Sequence, residues 1–148
     1  MGLFAGLPLY SRVLVDRFVS YPCLSGFVPV ELCNLEYLPA RGSAIDPHHD
    51  DWWLWGERLV TLNLLSETVL TFTDDSRPSL SVYVVLPRRS LVVVSGPARY
   101  KWKHAIQRQH VTSRRLAITF RELSAEFAIG GVSEAVGTEL LTIASNYV

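Results

Sequence analysis

The sequence predicts a mostly β fold, built as a sandwich or a barrel. Short segments that favour strands recur along most of its 148 residues, and turn-forming residues separate them. Hydrophobic residues make up 49% of the chain, which is enough to fill a core. The predicted strands cover residues 30–38, 58–65, 68–73, 79–86, 90–95, 101–106 and 115–123.

Helical patterns are predicted only near the two ends of the chain. Residues 9–20 carry apolar side chains at helical spacing, so we expect a helix that begins after Pro8 and packs outside the strands. Residues 133–144 are weakly helical or form a loosely held tail. We expect a single domain over residues 1–148, with a core at about 27–127 and a C-terminal tail at 128–148.

The charge and cysteine content narrow the range of partners. Basic and acidic residues number 14 each, so no overall positive field attracts nucleic acid or an anionic membrane. Cys23 and Cys33 do not form a disulfide framework and are typical of reduced thiols. No apolar run reaches the length of a membrane-spanning helix. We therefore expect a cytoplasmic and nuclear protein, monomeric and without a membrane partner.

A candidate metal motif lies in residues 46–51, which read Asp-Pro-His-His-Asp-Asp. On an extended segment, His48 and Asp50 point to the same side, so each can bind one metal ion. A third ligand has to come from another strand, and His104 lies in a predicted one. Two imidazoles and one carboxylate on one face of an octahedron suit iron(II) and leave three positions open.

The motif also allows other assignments. His49 with Asp51 has the same spacing, and Asp46 lies two residues before His48. His110 is a rival third ligand, although its polar surroundings favour a solvent-exposed turn. A His-x-Asp pair alone is more often a surface loop than a metal site.

Two arginines flank the apolar segment that precedes the C-terminal region. If residues 115–123 form a strand, Leu116, Ile118 and Phe120 share one face. The other face carries Arg115, Ala117, Thr119 and Arg121. Guanidinium groups inside a barrel need anionic partners, and a dicarboxylate offers one at each end. The alternative is that this face is outward and the arginines are merely solvated.

Taken in order, His48-x-Asp50, His104 and the Arg115…Arg121 pair resemble the AlkB family of iron(II)/2-oxoglutarate dioxygenases. The resemblance runs from about residue 27 to residue 127. It rests on residues 33–37, 41–48, 54–60, 102–106 and 119–124.

The resemblance implies a double-stranded β-helix, or jelly roll, and it selects one register of the metal motif. It implies three iron ligands, His48, Asp50 and His104. It implies that Arg115 binds the distal carboxylate of 2-oxoglutarate, that Arg121 lies near its metal-bound end, and that Tyr37 donates a hydroxyl. Leu35 and Ala117 stand where family members commonly have Asn, which removes cosubstrate hydrogen bonds.

The implied reaction uses Fe(II), 2-oxoglutarate and O2 to remove N-methyl groups oxidatively. The implied partners are monomethyl-lysine of an actin-type protein, as in actomyosin, or N6-methyladenine in DNA. Lys101, Lys103, Arg108, Arg114 and Arg115 form a modest basic cluster near His104 that is more often a solvated face. Trp52, Trp53 and Trp55 suit base stacking, but we expect them to pack in the core.

Family members carry a longer N-terminal region that shapes substrate entry, and this chain begins close to the predicted core. A truncated form is therefore expected. Two other functions remain: a catalytically weak metal-binding adaptor, and a cupin-type metalloenzyme of different chemistry.

Overall fold

Two four-stranded antiparallel sheets form the body of the protein in a computed structural model, which describes residues 4–148. The strands are β1 (Glu31–Tyr37), β2 (Ile45–His48), β3 (Trp55–Leu64), β4 (Thr68–Asp74), β5 (Arg77–Leu86), β6 (Leu91–Val94), β7 (Trp102–Ile106) and β8 (Arg115–Leu123). The helices are α1 (Arg12–Phe18), α2 (Gly96–Tyr100) and α3 (Glu134–Ala144). The prediction of one domain over residues 1–148 includes residues 1–3, which lie outside the described residues, and it stays a prediction.

The strand order is that of a double-stranded β-helix. One sheet has the order β1-β8-β3-β6 and the other has the order β2-β7-β4-β5. The chain passes repeatedly from one sheet to the other, so strands distant in sequence come to face each other. The predicted fold, mostly β and of the jelly-roll type, is confirmed.

Strand β8 lies inside its sheet, between β1 and β3. Arg115 is opposite Tyr37 on β1, and Ala117 is opposite Asn63 on β3. Directly opposed residues of an antiparallel pair share a face of the sheet. The face of β8 that carries both arginines points between the two sheets, because Tyr37, Arg115 and Arg121 line a cavity there, and the outward alternative is excluded.

The other face of β8 packs against the N-terminal helix. Phe120 is fully buried, and its ring centroid lies 5.2 Å from that of Phe18 on α1. Phe27 adds a second edge-to-face contact with Phe18 at 5.8 Å. The helix therefore lies outside the sheets, as predicted. It is shorter than residues 9–20, because a 3-10 turn, Leu9–Ser11, occupies its start.

The C-terminal region is held more firmly than the predicted tail. The backbone of Val148 and Leu9 is joined by a hydrogen bond of 2.7 Å, and Leu7 forms a parallel bridge with Tyr147. Ala144 is buried against Val30 in a small apolar cluster. Of the two alternatives for residues 133–144, the helix is present as α3 and the loosely held tail is not, because no local pattern in the sequence indicates this pairing of the two chain ends. Within residues 4–148, none of the helices has the length and apolar character needed to cross a membrane.

Candidate metal centre

Three predicted ligands converge where β2 and β7 lie side by side. His48 and His104 are cross-strand partners, and their ring centroids lie 4.3 Å apart. Asp50 follows β2, and its Oδ1 lies 3.3 Å from Nε2 of His48 and 3.7 Å from Nε2 of His104. Donor atoms that share an octahedral cation at bonds of about 2.1 Å lie about 3 Å apart. These three side chains can therefore hold one ion after a small inward adjustment.

The protonation states of His104 and Asp50 favour a metal, whereas the hydrogen bond with Asp50 raises the pKa of His48, so a metal would displace a proton there. Burial, together with the neighbouring His48, lowers the pKa of His104 to about 4, so this imidazole is neutral near pH 7. Burial acts to raise the pKa of Asp50, but hydrogen bonds from His48 and Arg121 outweigh it and hold the pKa below its usual range. A neutral imidazole and an ionised carboxylate are the forms that bind metals.

The ring of His48 is oriented by its own backbone. Its Nδ1 lies 2.8 Å from the carbonyl oxygen of Asp46, which leaves Nε2 facing Asp50 and His104. A carbonyl behind a ligating histidine fixes the tautomer and the direction of the free nitrogen. Asp46 therefore contributes a backbone carbonyl to the centre, and its side chain is exposed.

The other assignments lead away from the cluster. Nε2 of His49 lies 2.7 Å from Oδ2 of Asp75, on the far side of the segment. Asp51 is exposed. His110 lies in a 3-10 turn, Arg108–His110, where its ring contacts Tyr83. His110 is partly buried, so the expectation of a solvent-exposed histidine was wrong.

Arg121 joins the metal centre to the opposite sheet. Its Nε donates to Oδ2 of Asp50 at 2.6 Å, and its Nη1 donates to Glu31 at 2.8 Å. The guanidinium thus holds the Asp50 oxygen that faces away from the histidines. Sequence reasoning placed Arg121 near the metal end of the cosubstrate, but it missed Glu31, because the pairing of β1 with β8 cannot be read from local patterns.

Arg115 is a buried cation without an acidic partner among residues 4–148. It is 2% exposed, and its Nη1 is buried with no hydrogen-bond partner in the described part of the chain. Its guanidinium carbon lies 4.6 Å from the centre of the Tyr37 ring. Burial lowers the pKa of Arg115 from its usual 12.5, but a guanidinium remains charged at any physiological pH. A buried, unpaired charge of this kind is costly and needs an anion.

One cavity between the sheets contains all of these groups. Its lining includes the three candidate ligands together with Tyr37, Arg115 and Arg121. The lining offers a dicarboxylate one partner for each end, namely the His–Asp–His cluster and the orphaned nitrogen of Arg115. Leu35 and Ala117 line the cavity with apolar groups, and Asn34 instead donates to the Tyr10 hydroxyl.

Arg99 on α2 supports the ligand segment and was not found from the sequence. It is 1% exposed, and its guanidinium donates to the carbonyl oxygens of Asp50, Asp51, Trp55 and Gly56 at 3.0–3.4 Å. These acceptors lie 43–49 residues earlier, and no spacing rule connects them. Arg99 therefore fixes the backbone that carries Asp50.

We predict that Arg99→Met loosens the metal centre without removing a ligand. Four carbonyls lose a common donor, and the backbone at Asp50 gains freedom. The affinity for Mn(II), measured by calorimetric titration, should fall by about 10–100-fold, the range typical of groups that support ligands. Unchanged affinity in this variant would show that the backbone at Asp50 keeps its conformation without the hydrogen bonds from Arg99.

Two expectations about the surrounding surface were wrong. Trp52 and Trp53 are 50% and 60% exposed, and only Trp55 packs against the core. The two exposed rings lie on a turn that follows the ligand segment, where no second layer covers them. The predicted basic cluster also fails, because Arg115 is buried and Lys103 and Arg114 pair with Asp75 and Glu36.

The fold and the centre together define a jelly-roll protein with a two-histidine, one-carboxylate metal centre, the arrangement typical of non-haem iron(II) oxygenases. The chain is 49% identical over 173 residues to alpha-ketoglutarate-dependent dioxygenase alkB homolog 4 of Homo sapiens, which covers 97% of the chain. It is 40% identical over 143 residues to a DNA N6-methyl adenine demethylase of Caenorhabditis elegans, which covers 95% of it. The chain belongs to the AlkB family of iron(II)/2-oxoglutarate dioxygenases.

The chain spans 57% of the length of the human relative and 49% of that of the nematode relative. No protein-family model matches the chain. Among solved structures, the Drosophila melanogaster CENP-C cupin domain matches 62% of the chain, and 59% of that domain is covered, with 12% identity and a TM-score of 0.45. This similarity is too low to carry an argument.

Proposed function

We propose that the chain binds iron(II) through His48, Asp50 and His104 and uses 2-oxoglutarate and O2 to remove N-methyl groups. The observation that carries this proposal is the convergence of the three donors in one cavity with an unpaired, buried Arg115. Packing leaves Nη1 of Arg115 without a partner among the described residues, and it does not require two imidazoles and a carboxylate to converge at one point. A metal ion and a dicarboxylate would satisfy both.

The residues of the chain have separate tasks in this reaction. The bound iron, with 2-oxoglutarate and O2, supplies the oxidation that releases the methyl carbon as formaldehyde. Arg115 neutralises the distal carboxylate, and the Tyr37 ring beneath it keeps the guanidinium in place. Burial raises the pKa of the Tyr37 hydroxyl, so this group remains a hydrogen-bond donor. Arg121 holds the outer oxygen of Asp50, which leaves the inner oxygen to the metal.

Succinate release tests the activity. The full chain with Fe(II), 2-oxoglutarate and ascorbate should produce succinate even without substrate, because uncoupled turnover needs only the centre and the cosubstrate. Omission of 2-oxoglutarate should abolish turnover. A chain that binds iron but forms no succinate would favour the metal-binding adaptor. Conversion of a substrate without 2-oxoglutarate would favour a cupin-type enzyme.

The surface next to the ligand segment supports a methylated protein better than DNA as substrate. A groove there is lined by Trp52, Trp53 and Tyr100 and by the carboxylates of Glu57 and Glu126. No lysine or arginine within residues 4–148 lines this groove. DNA binding draws on unpaired basic side chains, whereas an aromatic, acidic surface attracts cations. We therefore propose monomethyl-lysine of an actin-type protein as the substrate.

N6-methyladenine in DNA is the second candidate, because the nematode relative is named as a DNA N6-methyl adenine demethylase. Formaldehyde release should be measured from an Nε-methyl-lysine peptide and from a single-stranded N6-methyladenine oligonucleotide at equal concentrations. Faster release from the oligonucleotide would contradict the proposed preference. The monomeric state and the cytoplasmic and nuclear location stay predictions.

A further inference from the structure

The side-chain amide of Asn63 has only one orientation open to it. Asn63 lies on β3, is fully buried, and its Nδ2 lies 2.9 Å from each of three carbonyl oxygens, those of Ser66, Leu86 and Pro87. A rotated amide would set Oδ1 against these three acceptors, and no hydrogen would lie between them. The carbonyls of the β3–β4 and β5–β6 turns therefore force Oδ1 to point the opposite way, toward β8.

Oδ1 of Asn63 meets the guanidinium of Arg115. The distance from Arg115 Nε to Asn63 Oδ1 is 2.6 Å, and this is a charge-assisted hydrogen bond between buried groups. The Tyr37 ring packs against the guanidinium from a second direction. A planar group held at Nε and stacked on a ring has little freedom to rotate. The contact therefore fixes the direction of Nη1, which is left without a partner.

Asn63 does not line the cavity itself, so it acts through Arg115. Its cross-strand partner, Ala117, lines the cavity but has no hydrogen-bonding side chain. The strand that carries Arg115 thus offers no polar group at the next position on the same face. The neighbouring strand supplies one.

We propose that Asn63 is a positioning residue that holds Arg115 ready for the distal carboxylate of the 2-oxo acid. This inference rests on the proposed function, because it takes 2-oxoglutarate as the ligand of the cavity. The three turn carbonyls fix the amide, the amide fixes the guanidinium, and the guanidinium recognises the carboxylate. Asn63 would therefore determine how strongly the site prefers a dicarboxylate to a monocarboxylate.

Calorimetric titration with two ligands tests this role. The full chain is loaded with Mn(II) and titrated with 2-oxoglutarate and, separately, with 2-oxobutyrate, which has no distal carboxylate. The wild-type protein should bind 2-oxoglutarate more tightly. Asn63→Ala should weaken 2-oxoglutarate roughly tenfold, as expected for one hydrogen bond to a charged group, and leave 2-oxobutyrate and Mn(II) binding unchanged. Asn34→Ala, which removes a strand asparagine outside the cavity, is the matched control and should behave as wild type.

A second variant guards against misfolding. Asn63→Leu fills the same buried space with a side chain of similar shape but has no oxygen for Arg115, and it should show the same selective loss. If the ratio of the two affinities stays at the wild-type value in the folded variants, the positioning role is overturned while the proposed function stands. If the wild-type protein binds both ligands equally, the assignment of Arg115 fails and this inference fails with it.

Discussion

Asp50→Ala should abolish metal binding while the chain stays folded. Asp50 is the only carboxylate of the three-residue cluster, and one of its oxygens lies within 3.7 Å of both imidazoles. Its removal leaves two histidines, so we expect the affinity for Mn(II) to fall by more than about 100-fold, beyond the loss typical of supporting groups. Succinate formation should be lost with it.

The fold should tolerate this change, because Arg121 keeps a second acidic partner. Its Nη1 lies 2.8 Å from Glu31, so the guanidinium is not left without a counter-charge. Far-UV circular dichroism should show the wild-type spectrum, and thermal unfolding should stay cooperative at a lower temperature.

His49→Ala is the matched control for this prediction. His49 stands between the two ligands in the sequence, but its ring turns to Asp75. The variant should bind Mn(II) as the wild-type protein does. Normal binding by Asp50→Ala together with loss of binding by His49→Ala would mean that the metal uses the other register of the motif.

Phe120→Ala should produce the largest loss of stability. Its side chain is fully buried on the outer face of β8, in contact with Phe18, and α1 rests on this cluster. Truncation of a buried aromatic side chain leaves a cavity and typically costs about 3–5 kcal/mol. For a chain of this length, the melting temperature should fall by about 10–20 °C.

Phe4→Ala provides the comparison, because Phe4 is 42% exposed and the same atoms are removed. The free energy of unfolding should change by less than about 1 kcal/mol in this variant. The free energies of unfolding of both variants should be measured by urea denaturation followed by tryptophan fluorescence. An equal loss in the two variants would mean that α1 does not stabilise the sheet through Phe120.

Most strands could be predicted from the sequence, because short strand-forming segments bounded by turn residues can be recognised locally. Each predicted strand from 30–38 to 115–123 has a counterpart in the structure, with ends displaced by a few residues. The segment that carries His48 forms a short strand of its own, Ile45–His48. Spacing also identified the three residues that the structure brings together, although the choice of register came from the family resemblance.

The supporting residues were not predictable, because their partners are distant in the chain. Glu31 is 90 residues from Arg121, and Asn63 is 52 residues from Arg115. Nothing in the local sequence distinguishes these residues from other polar residues on strands. The exposure of Trp52 and Trp53 was missed for a related reason. Their hydrophobic character predicts burial, and the local sequence does not show that no other part of the protein covers the turn on which they lie.

The alternation along β8 has a consequence for how variants of this protein would behave in a cell. Residues 115, 117, 119 and 121 face the cavity, and residues 118 and 120 belong to the cluster under α1. If every residue of β8 were substituted in turn, changes at the cavity positions would lower activity, and changes at positions 118 and 120 would lower the amount of protein in the cell. Substitutions on the cavity side would yield a stable but inactive protein. Substitutions on the opposite side would yield an unstable protein that the cell degrades.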